Sequence, residues 1–169
     1  MKVQGFSMPN DSMTISEQLL LEKCREIELL CKELYDYFAE LYAGNNEAAR
    51  LWIKTADEEQ NHAEQFTMAL RLFRRLPCLV TVDPQRVDSI ISQLKTVIRK
   101  VKQDPPVLQD ALCLAIKMEN YLTELHLGCV ALFVDKSLND LFSAMMASDD
   151  EHIASLQAAY DRLAGNVTG

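Results

Sequence analysis

The stretch TADEEQNHA, residues 55–63, sets Glu59 and His62 three residues apart. On a helix, residues with that spacing share a face, so a carboxylate and an imidazole project side by side. A carboxylate-rich set with an imidazole suits iron or manganese, and zinc also occupies such sites. The chain contains three histidines. A second one repeats the pattern: Asp149 precedes His152 by three residues in SDDEH, 148–152. A single Glu-x-x-His is a weak signal, because many helices carry one by chance. The surrounding periodicity makes it stronger.

Four segments show the 3–4 apolar repeat of helices that bury one stripe. The first reads Leu21, Cys24, Glu28, Cys31, Tyr35, Phe38, Tyr42, and the second Trp52, Thr55, Glu59, His62, Phe66, Ala69, Phe73. A later one reads Leu108, Leu112, Ala115, Glu119, Leu122, His126, Cys129, Phe133, and the last Leu138, Phe142, Met145, Asp149, His152, Leu156, Ala159, Leu163. Each stripe is interrupted near its middle by one carboxylate: Glu28, Glu59, Glu119 and Asp149. All three histidines fall on the stripes. A buried carboxylate without compensation costs several kcal/mol or more, and four together would repel one another. Bound cations would make them tolerable.

The elements needed to gather these groups are legible. Residues 1–13 read as a flexible lead. Thr14 or Ser16 caps a first helix running to about Ala43. GNN, 44–46, is a break with helix-stop chemistry, and a second helix runs from about Glu47 to Leu76. Asp83-Pro84 opens a shorter helix to about Lys102. A further helix spans about Val107 to Val134, DKSLN, 135–139, reads as a turn, and the last helix runs from about Leu138 to Leu163. Residues 14–164 thus form one all-α domain, with 165–169 fraying. Four long helices make two antiparallel hairpins, and the short helix sits in the crossover between them.

Depth along the helices agrees with convergence. With a rise of ~1.5 Å per residue, Glu28 and Glu59 lie at levels within roughly 5 Å on either side of their turn. Glu119 and Asp149 are offset by about one helical turn. The halves also match at an offset of ninety residues: Glu59 falls on Asp149, His62 on His152 and Phe66 on Leu156. With one residue of slippage, Glu28 falls on Glu119 and Tyr35 on His126. Such a repeat is what a pseudo-two-fold metal site inside a bundle requires.

Composition narrows the partners. The formal net charge is −8 over 169 residues, which argues against nucleic acid, whose ligands favour a basic surface. No apolar run reaches the ~18 residues of a membrane span and the start lacks a secretory core, so a cytoplasmic location is expected. Five cysteines without a C-x-x-C pair read as buried thiols rather than a disulfide framework or zinc knuckle. Leu19, Ile27, Leu30, Leu34 and Leu41 widen the apolar surface of the first helix beyond its stripe, which points to a homo-oligomer, with a dimer favoured.

The E-x6-Y at Glu28 and Tyr35, the YDYFA that follows, TADEEQNHA, AIKMENYLTELH and SDDEH together resemble the ferritin-like superfamily, within it the rubrerythrin-like branch. The resemblance covers about residues 15–163. It implies a ferritin-like four-helix bundle holding two iron ions, with manganese or zinc as alternatives, on Glu28, Glu59, His62, Glu119, Asp149 and His152. Glu59 and Glu119 would bridge, and Tyr35 and His126 would stand just behind the ligands. The implied activity is an oxidoreductase of peroxide or O2, with iron storage and handling as the alternative and a degenerate interaction bundle as a third. Two departures stand out. Asp149 occupies a position where the family usually has Glu, one methylene longer. The rubredoxin-type iron–sulfur module of full rubrerythrins has no counterpart, so redox turnover would need a separate electron-donor protein.

Overall fold

The computed structural model describes the backbone of residues 13–72, 83–130 and 136–165, and their side chains except at 72, 125–130, 137–139, 141, 142, 145, 146, 148, 149 and 163–165. The described secondary structure is all helical: α1 (Ile15–Leu41), α2 (Asn46–Leu72), α3 (Pro84–Gln103), α4 (Leu108–Val130) and α5 (Lys136–Gly165). Among the described residues, no helix is long and apolar enough to cross a membrane.

The starts follow local chemistry. Thr14 caps α1 in a reciprocal box: its Oγ1 accepts from the Glu17 amide at 3.2 Å, and Glu17 Oε2 accepts from the Thr14 amide at 2.6 Å. Asp83 accepts from the Gln85 amide at 2.9 Å, and Pro84 takes the first turn of α3. The break before α2 works through Asn45, whose Oδ1 accepts from the amides of Glu47 and Ala48 at 3.1 Å each. Gly44 does not act as a left-handed stop, since no described glycine has a positive φ.

Three expected boundaries move. Met13 belongs to the folded part: it is buried, and its carbonyl accepts from Gln18 Nε2 at 3.3 Å. Residues 136–139 are helical rather than a turn, and Lys136 pairs with Asp140 one turn on at 2.8 Å. Gly165 still belongs to α5. The rest of the lead, the far ends expected near Leu76 and Val134, and the tail beyond 165 lie outside the described residues.

Contacts give the helix directions. Tyr35 and Phe38 meet Trp52 near the α1–α2 turn, while Glu28 meets His62 farther from it, so α1 and α2 are antiparallel. At the turn end, Arg162 of α5 pairs with Glu47 of α2 at 2.7 Å, and farther along His152 stacks on His62. Tyr35 of α1 reaches Glu119 of α4, and Gln109 of α4 reaches Tyr160 of α5. α3 runs parallel to α1, with Asp88 on Lys23, Lys95 on Glu26 and Lys102 on Glu33.

One apolar core draws on all five helices. Its α3 share is Val87, Ile90, Ile91, Leu94, Ile98 and Val101, all buried. The three α1–α3 ion pairs are exposed and add little, so this apolar row holds α3 in place. The second apolar face of α1 packs within the chain: Ile27 and Leu34 are fully buried, and Leu30 and Leu41 rest on the same core. Leu19 alone of that group stays exposed, so this face no longer argues for a second copy.

Trp52 anchors the lower half of the core. It is fully buried, with ring centroids 5.7 Å from Tyr35 and 5.0 Å from Phe38. Trp52→Ala is expected to cost ~3–5 kcal/mol through lost contacts and a cavity, lowering Tm by roughly 10 °C. A thermal melt tests this, and a shift below a few degrees would mean that the core closes around the gap.

Candidate metal centre

The apolar stripes that drive the helices together carry their polar interruptions inward with them. Glu28 from α1, Glu59 and His62 from α2, Glu119 from α4 and His152 from α5 are all at most 2 % exposed. They form two sets, Glu28–Glu59–His62 and Glu59–Glu119–His152, and within each set one ligand atom per residue lies within 4.8 Å of the others. Glu59 belongs to both. Four separate helices therefore supply one cluster, with the carboxylate of α2 at its middle.

The imidazoles take matching orientations. His62 Nδ1 lies 3.5 Å from Glu59 Oε2 and 3.6 Å from Glu28 Oε2. His152 Nδ1 lies 3.6 Å from Glu59 Oε1. The two rings stack, with centroids 5.5 Å apart and planes at 27°. Burial by itself lowers the His62 pKa, but hydrogen bonds and charge from Glu28 and Glu59 outweigh it and raise it from 6.5 to about 10. Without a metal, the carboxylates hold a proton on that ring.

Tyr35 stands behind the cluster. Its hydroxyl donates a hydrogen bond to Glu119 Oε1. Burial, then the negative charge of Glu119, pushes the phenol well above its usual value, so the ring stays a neutral donor and orients that carboxylate.

The donor set fits a divalent cation. Three carboxylates and two imidazoles sit in a dry interior, where uncompensated charge is costly. Among the described residues, Glu59 Oε1 has no hydrogen-bond partner despite full burial, which is the state of an oxygen built for a ligand bond. Among the described residues, the lysine and arginine ion pairs lie toward the outside, Lys23–Asp88, Lys95–Glu26, Lys102–Glu33 and Arg162–Glu47 among them, and Lys54 pairs with Glu58 at 3.5 Å. Oxygen and imidazole donors without thiolate favour iron, manganese or zinc.

Of the residues the sequence pointed to, Glu28, Glu59, His62, Glu119 and His152 come together and Tyr35 touches Glu119. The side chains of Asp149 and His126 lie outside the described residues. Cys24 and Cys31 are buried and Cys113 is half-buried, in line with small core residues. Sequence reasoning missed Glu58, whose Oε2 lies 2.5 Å from His152 Nε2. The one available signal was a second carboxylate directly before Glu59. In comparisons with protein-family models, curated proteins and solved structures, no match to this chain was found.

Proposed function

We propose that the chain is a ferritin-like four-helix bundle that binds two iron ions and acts as an oxidoreductase of peroxide or O2, of rubrerythrin type. The observation that carries this reading is the sharing of Glu59 between two buried ligand sets drawn from four helices. Glu28, Glu59 and His62 would hold one ion, and Glu59, Glu119 and His152 the other. A ferrous pair held there would supply two electrons at one place, as reduction of an O–O bond without radical release requires. The chain's own part is to position and insulate. Glu59 ties the two positions together, Tyr35 steadies Glu119, and the aromatic layer of Trp52, Tyr35 and Phe38 keeps water from the turn end of the site. The electrons would come from a separate donor protein.

Metal analysis of protein expressed with iron, combined with an anomalous-scattering map of the bundle interior, tests the site. Two ions at the cluster and peroxide consumption with an added electron donor support the reading. Loaded protein that accumulates mineral without turning over peroxide favours iron handling instead. Purified protein without stoichiometric metal, and unable to take it up, sinks both.

A further inference from the structure

Glu58 and Glu59 are neighbours on α2 and point about 100° apart around it. Glu59 faces the interior. Glu58 faces α5, where its Oε2 meets His152 Nε2 at 2.5 Å, and its side chain stays 21 % exposed. We infer that Glu58 is a positioning residue for His152. This rests on the metal reading above.

An imidazole ring has a broad, roughly two-fold torsional preference, so it can present either nitrogen. A carboxylate on one nitrogen settles the choice. With Nε2 held by Glu58, Nδ1 is the atom left facing Glu59, as observed at 3.6 Å. A carboxylate on the far nitrogen also makes the ring a better donor to a metal, and losing such a partner typically weakens metal binding 10–100-fold.

The test is a cobalt(II) titration followed by its visible absorption, on the full chain and on Glu58→Ala and Glu58→Gln. It is repeated in His62→Ala and His152→Ala backgrounds, which isolate the two positions. With His62 removed, Glu58→Ala is expected to weaken binding about 10–100-fold. Glu58→Gln, a neutral acceptor of the same reach, falls between. With His152 removed, Glu58→Ala changes nothing, because the effect passes through that ring. An equal loss in both backgrounds, or none in either, overturns the inference while leaving the metal reading intact. A parent chain that takes up no cobalt overturns both. Glu58 is partly exposed, so its loss leaves no sealed void. Should Glu58→Ala nevertheless fail to fold, Glu58→Gln decides alone: parent-like affinity in the His62→Ala background overturns the inference.

Discussion

Glu59→Gln is expected to abolish tight metal uptake at both positions and, at the same time, to make the metal-free protein less stable. Gln matches Glu in size, so the packing survives. What disappears is the negative charge common to both ligand sets. The loss in affinity should exceed the ~10–100-fold that follows removal of a mere outer partner, and it should strike both ions rather than one. In the metal-free protein the Glu59 charge helps hold the proton on His62, so removing it while the imidazole stays is expected to destabilise the chain, by up to the ~3–5 kcal/mol that follows loss of one member of a buried pair. At roughly 2–4 °C per kcal/mol for a chain this size, the fall is visible in a melt run with chelator. Matched melts with added manganese give the second reading: the parent gains stability by ligand linkage and the variant does not. A variant that still binds one ion with parent affinity would show that Glu59 is not shared.

The second large effect is on pH. The folded pKa of His62 is about 10 and its ordinary value 6.5, so folding favours the protonated ring. In the metal-free protein this contribution is fully present below pH 6.5. It declines as pH rises and is gone above about 10, for a total of roughly 5 kcal/mol at most at 1.36 kcal/mol per unit. A metal ion must displace the same proton. Its affinity at the Glu28–Glu59–His62 position should therefore rise roughly tenfold per pH unit across the neutral range, with about one proton released per ion. Manganese titrations between pH 6.5 and 8.5, in two buffers of different ionisation enthalpy, measure both quantities. A flat affinity over that window would mean that His62 is already neutral and the carboxylates are compensated in another way.

Much of the layout was legible because one rule governed it. A helix buries the residues on its stripe, whatever their chemistry, so Glu28, Glu59, Glu119 and His152 could be placed inside from spacing alone. Caps were legible for the same reason, since Thr14 with Glu17 and Asp83 with Pro84 act within a single turn. Where a stripe faces was harder to read. Ile27 and Leu34 have the same periodicity whether they meet α3 or a second copy, and periodicity does not distinguish them. Glu58 was missed on related grounds. Its role depends on the rotation of α2 against α5, a tertiary quantity with no local signature. The break at GNN, 44–46, was legible, but not how it works: Asn45 caps the start of α2, and Gly44 takes no positive φ.

The parallel course of α3 along α1 has a consequence for how charge in the centre is felt outside. On that flank a second helix, about 10 Å thick, separates Glu28 from bulk solvent. Among the described residues, the flank where α2 meets α5 has no such backing, and there the Glu58 side chain is 21 % exposed. Low-dielectric walls channel field lines toward the thinner boundary. The pull of the buried acids on a passing cation is therefore lopsided, strongest where α2 meets α5 and muted behind α1.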